Sequence, residues 1–215
     1  MNRTQIAQLF GRPFFDAAVR MVAPIRVYGK DRIPANGPVV LCFNHFSWLD
    51  PWAIGAQVPR TLYYVAKQEA HEHAFIGPLI RLFGTISIRR GESDREAVRI
   101  MREIVHRGDA LGMFPEGTRQ KQEPGPVMPG AAMIAVQEGA PVVCGGIEGS
   151  QYWRFGNFHP VSIAFGEPLD VSHHPRNSKG YRAAALEIEH ELRRLWEFLV
   201  VTHAQGRPRV AVPPS

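Results

Sequence analysis

The sequence predicts a single α/β domain in which a mostly parallel or mixed β-sheet is flanked by helices, and three observations lead to this prediction. The chain has 215 residues, 45% of them hydrophobic and 21% charged, which is a globular composition with enough length for one sizeable core. Segments with strand patterns alternate with helical periodicities along most of the chain. No run reaches the ~18 apolar residues that a membrane-spanning helix needs.

Residues 1–23 carry apolar residues near helical spacing, and Pro13 is expected to kink or divide them into two short amphipathic helices. Arg12, Asp16 and Arg20 interrupt the apolar residues, so this segment is not a secretory signal. Two interpretations stay open. The helices pack on the domain core, or their aromatic side chains enter a membrane interface while the arginines meet lipid headgroups.

The main domain, residues 24–203, begins with strands at 25–29 and 38–44, and the second is continuously apolar, as expected for a strand covered on both faces. Asp50 followed by Pro51 predicts a helix with Asp50 as its N-cap. The later elements are delimited by glycine and proline residues, by a capping box at 93–96 and by a glycine at 139 that ends a helix. These are strands at 61–66, 85–89, 110–114, 141–147 and 160–166, and helices at 74–84, from 93, at 130–139 and at 178–200. Residues 204–215 are predicted to be a flexible tail.

The net charge indicates the class of partner, and the cysteines and histidines are tested for disulfide and metal sites. The net charge is +5, which favours anionic partners, and the chain lacks basic runs with interleaved aromatics, which argues against nucleic acid. Cys42 and Cys144 lie in apolar runs and are interpreted as buried thiols rather than as a disulfide. The histidine pairs at 71–73 and 173–174 are interpreted as solvated, so no metal site is predicted.

Two polar clusters directly follow predicted strands, and ligands of parallel sheets bind at that edge. The first, "NHFSWLD", offers His45 as a general base and Asp50 as the carboxylate that orients it. No G-x-S-x-G nucleophile elbow is present, so the expected attacking group is a substrate hydroxyl. From these residues alone, the alternative is a turn histidine beside a helix-capping aspartate.

The second cluster, "FPEGTRQK", predicts a tight loop whose backbone N–H groups and Arg119 bind an anion. Glu116 either holds Arg119 in place or accepts a hydrogen bond from a substrate hydroxyl. Lys67 and Arg90 follow two further strands at the same predicted edge, and this group of cations suggests a phosphorylated acceptor. The alternative is a surface turn with a Glu–Arg pair.

These motifs resemble those of the glycerolipid acyltransferase family, which contains the 1-acylglycerol-3-phosphate O-acyltransferases. "NHFSWLD" is similar to the family's N-H-x4-D motif, "GTISIRR" to its second motif with Arg90 in the arginine place, "FPEGTR" to its third and "GAPVV" to its fourth. They occur in the family's order and spacing between residue 25 and about residue 168. The resemblance implies a glycerol-3-phosphate acyltransferase-like fold.

The resemblance also implies a reaction and its residues. A fatty acyl group would pass from acyl-CoA or acyl carrier protein to the free hydroxyl of lysophosphatidic acid, a phosphorylated lyso-lipid, without a cofactor or a metal. His45 would be the general base and Asp50 its orienting partner. The substrate-binding residues would be Lys67, Arg90, Glu116, Gly117, Thr118 and Arg119.

A lipid acceptor further implies a peripheral protein on an anionic lipid surface, at the cytoplasmic face of the cell membrane, and favours residues 1–23 as an interfacial anchor. Gln120 and Pro129 depart from the family pattern, where serine and lysine are common, and these departures bear on the acceptor. The remaining alternatives are another lyso-lipid or polar acceptor, a thioester or lipid hydrolase, and a lipid-binding module without activity.

Overall fold

The chain folds into three layers, with helices on both faces of a seven-stranded sheet, in a computed structural model that describes residues 2–74, 76–88 and 95–214. The strands are β1 (Ile25–Tyr28), β2 (Val39–Phe43), β3 (Leu62–Lys67), β4 (Thr85–Ile88), β5 (Ala110–Met113), β6 (Val142–Glu148) and β7 (Val161–Leu169). The helices are α1 (Arg3–Val22), α2 (Asp50–Gln57), α3 (Gln68–Glu72), α4 (Ile76–Leu82), α5 (Arg95–His106), α6 (Gly130–Glu138) and α7 (Ser178–Ala204).

The sheet is mixed, and its strand order is β1-β7-β6-β2-β5-β3-β4. Only the β6–β7 pair is antiparallel among the described strands, so the predicted fold class is confirmed. β2, β5 and β3 are parallel neighbours, and their carboxyl ends therefore meet at one edge of the sheet. This order brings the loops after β2 and β5 together, although β3 and β4 separate them in sequence.

The core has one apolar cluster on each face of the sheet. α1 and α2 cover one cluster, and α5, α6 and α7 cover the other. β2 is fully buried because its successive side chains alternate between the two clusters, which explains its continuous apolar run. Cys42 pairs in register with Cys144, and both thiols are buried and free, as predicted. Burial raises the pKa of the Cys42 thiol to about 12.

α1 is a single helix that continues through Pro13, so the expected division into two helices is wrong. Leu9 and Pro13 are exposed, and water can therefore satisfy the Leu9 carbonyl that loses its helical partner. The inner side of α1 packs on the domain, where Gln8 exchanges hydrogen bonds with the backbone of Leu62. The outer side exposes a row of large apolar residues: Ile6, Leu9, Phe10, Phe14 and Met21.

The carboxyl-terminal segment follows α7, which extends to Ala204. The tail, which the sequence predicts to be flexible, makes hydrogen bonds with the start of the domain. The Tyr28 hydroxyl donates to the Pro208 carbonyl at 2.9 Å, and the Arg32 guanidinium donates to the carbonyls of Pro213 and Pro214. Within the described ranges, no helix is both long enough and apolar enough to cross a membrane.

Candidate active site

His45 and Asp50 form a hydrogen-bonded pair in the loop after β2. His45 Nδ1 lies 2.8 Å from Asp50 Oδ2, and the same oxygen accepts the backbone N–H groups of Phe46 at 2.6 Å and Ser47 at 2.7 Å. The Asp50 side chain is completely buried, so these three donors replace its hydration. A carboxylate bound to Nδ1 favours the tautomer in which Nε2 carries the lone pair.

Asp50 is the first residue of α2, and Leu49 takes the N-cap position without a side-chain hydrogen bond. The prediction of Asp50 as an N-cap is therefore wrong. The carboxylate turns back toward the N–H groups of its own loop, because the 46–47 backbone folds around it before the helix begins. This arrangement fixes the distance between the imidazole and the carboxylate within six residues of chain.

Asn44 anchors the same loop to the neighbouring strand. Its amide group donates to the Ile147 carbonyl at 3.0 Å and accepts the Ile147 N–H at 2.8 Å, so it pairs with β6 as a backbone group would. The side chain is fully buried. Sequence reasoning assigned no role to Asn44, although a polar residue directly after a continuously apolar strand indicates a buried hydrogen-bonding position.

The loop after β5 holds His45 from the other side. Phe114 stacks on the imidazole with the ring centroids 4.2 Å apart, and the His45 carbonyl accepts the Gln120 N–H at 2.7 Å. Phe114 also stacks on Tyr64 of β3. Sequence reasoning treated Phe114 as the end of a strand. A chain of aromatic rings therefore limits rotation of the imidazole, in addition to the bond to Asp50.

Glu116 crosslinks this loop and does not bind Arg119 in the described structure. Glu116 Oε2 accepts the His45 N–H and Oε1 accepts the Gly125 N–H, each at 3.0 Å. Burial raises the pKa of this carboxyl to about 8, despite the opposing effect of the two N–H donors. Burial therefore disfavours the ionised form of this glutamate relative to an exposed one.

Gly117 and Arg119 occupy distinct positions in the loop. Gly117 adopts a φ of +72°, which favours glycine, and a Cβ at this position would come within 3.0 Å of Met128 Sδ. The Arg119 guanidinium lies over the Trp48 ring, 5.3 Å from its centroid. Trp48 is more than half exposed, and sequence reasoning assigned no role to it. This cation–π contact holds Arg119 beside the His45 loop.

A cavity of about 780 Å³ opens beside His45 and is lined mostly by apolar side chains from α1, α2, β3, α4 and α5. Its volume lies within the range typical of small-molecule sites. Glu116, Gly117, Thr118 and Arg119 line it together with His45. Arg12 of α1 also lines it, and burial lowers the pKa of its guanidinium. Arg12 was expected to meet lipid headgroups with Arg3 and Arg20.

Two predicted substrate-binding residues fall outside the description. Arg90 lies outside the described residues, as does its neighbour Arg89, and the side chain of Lys67 is not described. The predicted capping box at 93–96 also lies partly outside the described residues, which resume at Arg95.

Among the described residues, one group could hold a metal ion. His173, His174 and Glu187 place their ligand atoms within 4.8 Å of one another. The two histidines lie between β7 and α7, Glu187 lies in α7, and none of the three lines the cavity beside His45.

Comparisons with known proteins agree with the motifs. A family model described as Acyltransferase matches residues 24–148, more than half of the chain. The chain is 26% identical over 163 residues to the 1-acyl-sn-glycerol-3-phosphate acyltransferase of Bacillus subtilis, covering 72% of this chain and 80% of that protein. It is 35% identical over 100 residues to the lyso-ornithine lipid O-acyltransferase of Pseudomonas aeruginosa, covering 46% of this chain but 37% of that protein.

The fold also has a solved counterpart. The crystal structure of the 1-acyl-sn-glycerophosphate (LPA) acyltransferase PlsC from Thermotoga maritima superposes with a TM-score of 0.75, covering 92% of this chain and 81% of that chain. The sequence identity is 24%, so this likeness concerns the fold.

Proposed function

The chain belongs to the acyltransferase family, and on this premise we propose that it transfers a fatty acyl group from acyl-CoA or acyl carrier protein to lysophosphatidic acid. The free hydroxyl of lysophosphatidic acid accepts the acyl group, and the product is phosphatidic acid. The observation that carries the proposal is the His45–Asp50 pair, bonded at 2.8 Å, beside an apolar cavity of about 780 Å³. A base, its orienting carboxylate and space for an acyl chain are the parts that this reaction needs.

In the proposed mechanism, His45 Nε2 takes the proton of the acceptor hydroxyl as the oxygen attacks the thioester carbonyl. The tetrahedral intermediate collapses, the C–S bond breaks, and the leaving thiolate takes the proton from the imidazolium. The buried Asp50 carboxylate stabilises that imidazolium and fixes its tautomer. The acyl group passes directly to the acceptor, and the chemistry needs neither a metal nor a cofactor.

The acceptor phosphate is proposed to bind Arg119, with Lys67 and Arg90 as further cations, while Gly117 and Thr118 contribute loop contacts. Arg119 is suited to this because its guanidinium is held over Trp48 at the wall of the cavity. Glu116 acts differently from the other predicted contacts. Its two oxygens hold the His45 N–H and the Gly125 N–H, so it positions the loop around the base.

The acceptor is a lipid, and we propose that α1 brings the protein to an anionic bilayer surface. Phe10 and Phe14 on its outer side are 75% and 72% exposed, which supports insertion of these rings into the interface. The inner side of the same helix packs on the domain through Gln8. The two interpretations of residues 1–23 are therefore compatible, because they use opposite sides of one helix.

Another lyso-lipid acceptor is the second candidate, and the 35% identity to a lyso-ornithine lipid O-acyltransferase favours it. A panel of lyso-acceptors, offered with the same acyl-CoA and with acyl carrier protein as alternative donor, separates the two. We expect phosphatidic acid to be the main product, and we expect the His45→Ala variant to form none. Preference for an acceptor without phosphate would make the second candidate correct. Release of free fatty acid at the same rate without acceptor would instead identify a hydrolase.

A further inference from the structure

A second groove, of about 510 Å³, lies beside the cavity and shares Trp48 and Arg119 with it. We call it the basic groove, because Lys121 and Arg154 add two further cations to its wall. No acidic side chain is among the described residues that line it. The groove therefore favours an anion, and it lies on the far side of the Trp48–Arg119 contact from the cavity.

The loop that joins β6 to β7, residues 149–160, forms one rim of this groove, and we call it the aromatic loop. It exposes Tyr152, Phe155 and Phe158, of which Phe155 is 87% exposed. Phe158 adopts a φ of +51°, in the left-handed region that bulky side chains rarely occupy. Three exposed aromatic rings within seven residues form a patch of the kind found at interaction surfaces.

The aromatic loop satisfies many of its polar groups internally. Asn157 Oδ1 accepts the N–H groups of Arg154 and His159, and its amide donates to the Tyr152 carbonyl. The Arg154 guanidinium donates to the carbonyls of Gln151 and Trp153. Burying an unpaired backbone group in an apolar medium is costly, so a loop with these groups already paired is suited to contact with lipid.

The aromatic loop also connects the two parts of the protein that the proposed function brings to the membrane. Trp153 Nε1 donates to the Val22 carbonyl at the end of α1, at 3.0 Å. Phe155 and Trp48 line the same groove. The loop thus joins the carboxyl-terminal end of α1 to a groove that shares Trp48 with the cavity.

We propose that the aromatic loop and the basic groove form a second lipid-contact surface. Tyr152 and Phe155 enter the bilayer interface, and the groove receives the anionic headgroup of a bilayer lipid. An anionic bilayer is the expected partner because its interface places acyl chains next to negatively charged headgroups. The aromatic rings of the loop and the cations of the groove are arranged side by side in the same way. The inference rests on the proposed function in one respect, namely that the acceptor comes from a membrane.

The first experiment places a reporter on the aromatic loop. Phe155→Cys, labelled with a polarity-sensitive fluorophore, gives a single reactive site because Cys42 and Cys144 are fully buried. The matched control is Leu186→Cys, 65% exposed on α7, which packs on the opposite face of the sheet from α1. With phosphatidylcholine–phosphatidylglycerol vesicles, the emission of the label at 155 should shift to the blue, and that of the label at 186 should not.

Equal shifts at both positions, or no shift at 155, would overturn the proposal. Inorganic phosphate is added alone as a separate arm. A blue shift with phosphate and no vesicles would identify a free-anion site and would also overturn it.

The second experiment measures vesicle co-sedimentation of Tyr152→Ser/Phe155→Ser. Removing two aromatic contacts should weaken binding about tenfold or more, while Leu186→Ser should bind like the original protein. Lys121→Gln should reduce the preference for phosphatidylglycerol over pure phosphatidylcholine. Binding of the double variant at full strength would mean that α1 alone makes the contact. Formation of phosphatidic acid from detergent-dispersed lysophosphatidic acid by the original protein tests the proposed function separately.

Discussion

Asp50→Asn is the substitution that tests the proposed catalytic role of the His45–Asp50 pair most directly. The asparagine oxygen can replace Oδ2 and keep the N–H groups of Phe46 and Ser47, which lie at 2.6 and 2.7 Å. The asparagine amide then replaces Oδ1, which has no hydrogen-bond partner among the described residues. The loop geometry is preserved, and the main change is the loss of one negative charge beside His45.

The magnitude follows from the separation of the two groups. At 2.8 Å between Nδ1 and Oδ2, the attraction between full charges is about 6 kcal/mol at an effective dielectric of about 20. The dipole of the asparagine amide retains a part of this attraction to the imidazolium. We therefore expect kcat to fall by about 10³–10⁴-fold.

The assay is the formation of phosphatidic acid from acyl-CoA and lysophosphatidic acid, with thermal unfolding as the check on folding. Ser47→Ala is the matched control from the same loop, because among the described residues its hydroxyl bonds only to the Leu49 N–H, at a long 3.3 Å. It should retain activity within a few-fold. In a His45→Ala background, Asp50→Asn should cost less than about threefold, because the carboxylate acts through the imidazole.

A loss of less than tenfold in Asp50→Asn would refute the assigned role. Full additivity with His45→Ala would refute it as well, since two independent groups would then be acting.

Four further predictions follow from the site and from α1. The pKa of Glu116, raised to about 8 against an ordinary 4.5, gives stability that is complete below pH 4.5 and lost as the pH rises to about 8. Glu116→Gln should remove that fall of a few kcal/mol in the free energy of unfolding. Arg119→Ala should raise the KM for lysophosphatidic acid about 10–100-fold and leave the KM for acyl-CoA nearly unchanged. Gly55→Leu, in the cavity wall, should raise the preference for shorter acyl chains about tenfold, with Gly55→Ala as control. Phe10→Ser/Phe14→Ser should weaken binding to anionic vesicles about tenfold or more without lowering the melting temperature of the protein.

Each of these has a contradicting result. An unchanged pH profile in Glu116→Gln would mean that the carboxyl is ionised in the folded protein. An Arg119→Ala effect confined to the donor would remove the phosphate contact, and equal rates with all chain lengths in Gly55→Leu would place the acyl chain elsewhere. Full vesicle binding by the α1 double variant would remove that helix from the interface.

The fold class was predictable because it depends on local periodicity. The apolar run of β2 indicated a strand covered on both faces, and the structure buries all of its residues. The His45–Asp50 spacing indicated a possible pair because both residues lie in one short loop, where contact requires only a turn. Two predictions were wrong, namely the N-cap at Asp50 and the division of α1 at Pro13. In both places two local conformations are close in energy, and the sequence pattern does not distinguish them.

What the sequence determined by itself was the seven strands, most of the helices and the place of the two motifs at strand ends. Tertiary structure decided the contacts between segments distant in the chain: Glu116 with the His45 N–H across 71 residues, Asn44 with Ile147 across 103, and the choice of which side of α1 stays exposed. Such contacts depend on the order of the strands. Only when β5 lies between β2 and β3 does Phe114 reach the imidazole and the cavity open beside it.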